Sequence, residues 1–97
     1  MFQILLSGDA SQHLSEFRKY DQQKIRTAIR TQLTEEPGRK SRNRKLLRPN
    51  PLAEWELRVG IYRVFYDIDE ADGLVKVKAV GHKEGSKLLV HGKEFKL

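Results

Sequence analysis

The hydrophobic period of this chain changes once, and that change limits what it can fold into. Between Asp21 and Leu33, Ile25, Ala28, Ile29, Gln32 and Leu33 fall at the i, i+3, i+4, i+7, i+8 spacing of an amphipathic helix. From Trp55 the period is two. Trp55, Leu57 and Val59 alternate with Glu56 and Arg58, and Tyr62, Val64, Tyr66 and Ile68 alternate with Arg63, Phe65 and Asp67. Val75, Val77 and Ala79 then alternate with Lys76 and Lys78. Turns at Gly60-Ile61 and at Glu70-Ala71-Asp72-Gly73 join these three strands into an antiparallel meander. A helical stripe and a sheet with one apolar face each need cover, and each can supply it to the other.

The residues upstream complete the outline. Phe2 to Ser7 reads as a short buried strand, broken by Ser7-Gly8-Asp9. Asp9 or Ser11 is expected to cap a first helix running to about Lys19, with Ala10, Leu14 and Phe17 on one face. Asp21 is expected to cap the second helix and Pro37-Gly38 to end it. The short link between the helices implies an antiparallel hairpin. The expected fold is therefore α+β: an N-terminal strand, then a helical hairpin packed on one face of a mainly antiparallel sheet of three to four strands. Residues 1–97 are expected to form one domain. Beyond Gly85 the tail carries one further apolar run, Leu88-Leu89-Val90.

Charge narrows the partners. There are 19 Lys and Arg against 13 Asp and Glu, a net charge of +6, and six of the ten residues from Arg39 to Arg48 are basic. Such a balance favours a polyanionic partner, because each cation that meets a phosphate releases counterions. Arg39, Lys40, Arg42, Arg44, Lys45 and Arg48 are the candidate contacts to RNA or ribosome; a solvated loop is the plainer alternative. With no cysteine, disulfides and thiolate metal sites are impossible. No apolar run approaches the ~20 residues that cross a bilayer, so a cytoplasmic protein without membrane contact is expected.

The stretch from Trp55 to Asp69, Trp-Glu-Leu-Arg-Val-Gly-Ile-Tyr-Arg-Val-Phe-Tyr-Asp-Ile-Asp, is followed by Val-Lys-Ala-Val-Gly-His-Lys-Glu from Val77 to Glu84. Together with Pro37 and Lys45-Leu46 upstream, these residues resemble the core signature of the RelE/ParE toxin superfamily of bacterial type II toxin–antitoxin systems. The resemblance implies an architecture like that of small microbial ribonucleases. It implies an antitoxin partner whose extended segment wraps the toxin. In the RelE branch it implies mRNA cleavage in the ribosomal A site, and in the ParE branch inhibition of DNA gyrase without a nuclease site.

RNA cleavage of this kind must deprotonate a 2′-OH, stabilise a phosphorane and protonate a leaving oxygen. By resemblance Arg63, in the Tyr62-Arg63 pair, holds the phosphate; the alternative is a structural arginine paired with Glu56, Asp67 or a terminal carboxylate. Arg58 is its cross-strand companion, expected on the face away from Trp55, Leu57 and Val59. Lys83 stands where the family usually has arginine, keeping the charge and losing the fork. Glu56 and His91 are the candidate acid and base, Glu56 being equally a salt-bridge partner. His82 is expected to point opposite to Lys83 as a packed histidine, and His13 to lie on the surface. Glu56 stands where the mRNA-cutting relatives carry lysine, and Leu89 where a terminal tyrosine is expected. These departures keep a gyrase-binding toxin or a non-toxic, antitoxin-binding module in view. Neither a metal nor another cofactor is expected, since no His-x-x-x-His spacing or carboxylate cluster suggests one.

Overall fold

The computed structural model describes all 97 residues. The chain runs β1 (Gln3–Leu6), α1 (Gly8–Ser15), α2 (Lys19–Leu33), β2 (Arg44–Leu46), β3 (Trp55–Val59), β4 (Tyr62–Asp69), β5 (Leu74–Glu84), β6 (Lys87–Val90) and β7 (Lys93–Phe95). The two helices pack on one face of a mostly antiparallel sheet, the expected α+β arrangement. Their starts differ from expectation. Ser7, not Asp9 or Ser11, caps α1: its hydroxyl oxygen accepts the amide of Ala10, and the helix stops at Ser15. The N-cap of α2 is Arg18, with no side-chain cap, and Asp21 lies inside the first turn. There its carboxylate accepts from Arg18 Nε at 3.3 Å instead of capping the helix.

The sheet is larger than the meander. Its order is β2-β3-β4-β5-β6-β7, with β1 parallel to the first half of β5 and β6 antiparallel to the second half. Two segments account for the extra strands. Part of the basic segment pairs with β3 as an edge strand, and the tail folds back as the β6–β7 hairpin. Ala10, Leu14, Ile25, Ile29 and Leu33 from the helices bury against Trp55, Leu57, Val64, Tyr66, Val77 and Val80. The opposite face carries a second, smaller cluster of Ala53, Phe65, Ala79, Leu88 and Val90. Both faces of the sheet are thus partly apolar, because the tail and the segment before β3 fold over the side the helices leave open.

One irregularity decides which side chains meet there. Phe65 pairs with Ala79 and the next residue, Tyr66, with Val77, so Lys78 is an extra residue in β5. A one-residue bulge inverts the alternation beyond it. Val75 and Val77 face the helices before the bulge, and Val80 faces them after it. Odd-numbered residues from Ala79 onward therefore face away. Without the bulge Lys83 would point at the helices; with it, Lys83 joins the open face.

Candidate functional site

Strand alternation gathers the site. Glu56 and Arg58 of β3 and Arg63 of β4 lie on the face opposite Trp55, Leu57 and Val64, and Arg58 pairs directly with Arg63 across the ladder. Gly60, at φ +60, permits the tight β3–β4 turn that sets this register. Lys45 of β2 sits opposite Glu56. With Lys83 they line one groove of about 750 Å³, whose far wall is the β6–β7 hairpin. Seven basic and two acidic side chains line it, so the groove is cationic.

Arg63 is its fixed point. Only 8% of the residue is exposed. One terminal nitrogen, Nη1, donates to the carbonyls of Gly60 and Tyr62, each at 2.9 Å, and Nε stands 4.0 Å from the Glu56 carboxylate. Burial lowers the pKa of the guanidinium; Glu56 raises it and Arg58 lowers it. An arginine keeps its charge throughout the physiological range. The result is a preorganised cation that needs no rearrangement to meet a phosphate. Glu56 is the carboxylate nearest to it and is itself largely buried. Lys83 Nζ donates to the Ser86 carbonyl at 3.3 Å, which holds it at the groove rim.

The other proposed residues separate. His91 stands outside the groove, in the β6–β7 turn, where it pairs with Glu16 and stacks on His13 at 5.5 Å between ring centroids. Its φ of +52 belongs to that turn, which carries it toward α1. Glu56 and His91 are therefore not an acid–base pair in this structure. Of the six basic candidates, Lys45 and Arg48 line the groove. Arg44, one residue from Lys45 and so on the other face of β2, is committed to structure: it donates to the Gln32 carbonyl at 2.7 Å and the Arg39 carbonyl at 2.9 Å. Arg39 pairs with Glu36, and Lys40 and Arg42 are exposed outside the groove. His82 points to the helix side as alternation requires, its ring edge on Phe17, and it contacts Glu84 at 2.9 Å.

Against known proteins, the model of the ParE toxin of type II toxin–antitoxin system, parDE, matches residues 4–86. The chain belongs to this toxin family. The toxin shares its fold with a chain of the RelBE2 toxin–antitoxin complex from Mycobacterium tuberculosis, at a TM-score of 0.73 and 23% identity over 84% of this chain and 98% of that one. A second match is a chain of the archaeal RelE–RelB complex from Pyrococcus horikoshii, at 0.62 and 19% identity over 78% and 88%. No curated protein matches the toxin. The RelE/ParE resemblance read from Trp55 to Glu84 is thereby confirmed at the level of family and fold.

Sequence reasoning missed the tail. Lys87, Glu94, Phe95 and Lys96 line the groove of this toxin, yet the tail's composition carries only one short apolar run. It also placed His13 on the surface, whereas Nδ1 of His13 accepts the amide of Val80 at 3.2 Å. One available signal was Gly81, a small residue in the interior of a strand, which marks a close approach of backbone.

Proposed function

We propose that this toxin is an endoribonuclease of the cytoplasm that cuts mRNA on the ribosome without a metal. The observation that carries the reading is the Glu56–Arg63 pair, 4.0 Å apart at the floor of a cationic groove. Glu56 takes the proton of a 2′-OH, whose oxygen attacks the adjoining phosphorus. The bond from phosphorus to the 5′-oxygen breaks, leaving a 2′,3′-cyclic phosphate and a 5′-hydroxyl. Arg63 and Arg58 carry the charge that builds on the phosphorane, and the Lys83 ammonium supplies the proton to the leaving oxygen. Lys45 and Arg48 hold the strand by its phosphates, without reading sequence. An antitoxin with an acidic segment is the expected partner, since it would neutralise the groove by charge complementarity. Inducible expression followed by mapping of mRNA 5′ ends tests this. New ends at fixed codon phase, absent in Arg63→Ala, are the expected result; full toxicity of a folded Arg63→Ala would remove the assignment.

A second reading is favoured by the family description itself, which is ParE, and by the main-chain bonds that occupy one nitrogen of Arg63. In that reading the buried pair is scaffold, the cationic surface docks on DNA gyrase, and expression arrests growth with DNA-damage signalling and no new mRNA ends.

A further inference from the structure

The β6–β7 hairpin lies beyond the residues shared with the family, which stop at 86. It is nevertheless built into the groove. Gly81 faces Arg63 across the β4–β5 ladder. A Cβ at Gly81 would meet the Leu89 carbonyl oxygen at 2.6 Å and Val90 Cγ2 at 2.7 Å. The absence of a side chain at 81 is therefore what lets β6 lie over the strand that carries Lys83. Leu88 and Val90 then anchor the hairpin in the second cluster beside Phe65 and Ala79. Anchored so, it turns exposed Lys87 and Lys96 toward the groove, opposite the wall bearing Lys45 and Arg48. Burying two leucine- and valine-sized side chains fixes a wall at a cost in chain entropy that a free tail would not bear. Lys87 and Lys96, set against Glu94, give this wall a net positive charge, which complements the phosphates of a nucleic-acid strand.

We propose that the β6–β7 hairpin is the second wall of a channel for single-stranded RNA, with Lys87 and Lys96 holding phosphates next to the one at Arg63. The identity of the ligand rests on the nucleolytic reading; the role of the hairpin as a binding wall does not require cleavage. Binding of a short labelled 2′-O-methyl oligouridine, which lacks the attacking hydroxyl, separates the two. It is followed by fluorescence anisotropy between about 50 and 200 mM salt, where each phosphate contact to a single strand contributes a slope of about 0.7. Removing both cations in Lys87→Gln/Lys96→Gln should flatten the slope by about 1.4. Lys19→Gln/Arg26→Gln, which removes the same charge from exposed helix positions, should leave it unchanged. Equal slopes for the wild type and the hairpin variant would overturn the wall, and so would equal flattening by the two double variants. Loss of binding to a poly-glutamate peptide with RNA binding intact would overturn RNA as the occupant and point to an acidic antitoxin segment. RNA binding that depends on the hairpin but is never followed by mRNA cleavage in cells would overturn the nuclease reading and leave the wall standing.

Discussion

The amide of Val80 donates to Nδ1 of His13 at 3.2 Å, across 67 residues of chain. The bond lies two residues beyond Lys78, the bulge that turns Lys83 into the groove. A bulge leaves the inserted residue out of the ladder, and the α1 cap meets it: the Ser7 hydroxyl donates to the Lys78 carbonyl at 3.1 Å, while His13 in α1 takes the amide of Val80 just beyond. Burial, and then the neighbouring His91, hold the pKa of His13 below its ordinary 6.5. The folded state therefore binds a proton at His13 less readily than the unfolded chain. The stability this supplies is complete above about pH 6.5 and is lost as pH falls from there toward the lowered folded value. Protonation would also place a donor against the Val80 N–H. Thermal melts at about pH 7.5 and 5.5 should show a larger drop in Tm for the wild type than for His13→Gln. Equal drops would show that the bond does not govern the acid response.

Gly81→Ala tests the packing of the tail. The added methyl meets a backbone oxygen at 2.6 Å, so β6 must shift as a unit. Overpacking of this kind costs about 1–3 kcal/mol, to be read from urea midpoints. Strand β6 should be the part that loosens, visible as faster amide exchange at Leu89 than at Val64. An unchanged midpoint would mean that the tail already sits away from β5 in solution.

Much of this fold was legible, and the reason is periodicity. Alternation along β3 and β4 placed Trp55, Leu57 and Val59 on one face and Glu56 and Arg58 on the other, because a strand's side-chain period is two wherever no residue is inserted. In β5 a residue is inserted, and alternation counted from Val75 would send Lys83 to the wrong face. No local pattern marks Lys78 as a bulge; the Ser7 hydroxyl that meets its carbonyl lies 71 positions away. The tail failed for a related reason. Strands β6 and β7 have four and three residues, too few to show a period, and their anchor is a space left by Gly81 in another strand. Within the basic run, composition could not tell Arg44 from Lys45, since the strand pairing that separates their faces is long-range.

Tyr66→Phe should destabilise without altering the groove. The Tyr66 hydroxyl, fully buried, donates to the Pro37 carbonyl at 2.8 Å and ties the end of the helical hairpin to the central strand. Burial holds that hydroxyl's pKa far above its usual value, so it remains a donor at any pH the fold survives. Losing it leaves a buried carbonyl unsatisfied, a cost of about 1–3 kcal/mol by denaturant titration. RNA binding by the variant should match the wild type while it remains folded.

Glu56→Gln separates chemistry from architecture. The amide is nearly isosteric and Arg63 keeps its bonds to the Gly60 and Tyr62 carbonyls, so Tm should change little, while a general base would be lost. Under the nuclease reading, cleavage of ribosome-bound mRNA should fall by about 10²–10⁴-fold. A variant with full cleavage would return Glu56 to the role of counter-ion for Arg63 and send the search for the base elsewhere in the groove.

Arg44 and Lys45, adjacent in sequence, should give opposite results. Arg44 donates to the Gln32 carbonyl, the Gln32 side chain and the Arg39 carbonyl, joining β2 to the end of α2. Arg44→Ala removes charge-assisted bonds of about 1.5–3 kcal/mol each before solvation compensates, and the expected net loss is about 1–3 kcal/mol. Its RNA affinity should drop no more than that of a variant losing one charge far from the groove. Lys45 is exposed, has no protein partner among the hydrogen bonds and ion pairs, and sits opposite Glu56 across the β2–β3 ladder, lining the groove. Lys45→Ala should leave the melting temperature within a degree or so and flatten the salt slope of oligouridine binding by about 0.7. The reverse pattern, with Lys45 governing stability and Arg44 the salt slope, would mean that β2 faces the opposite way from its pairing with β3.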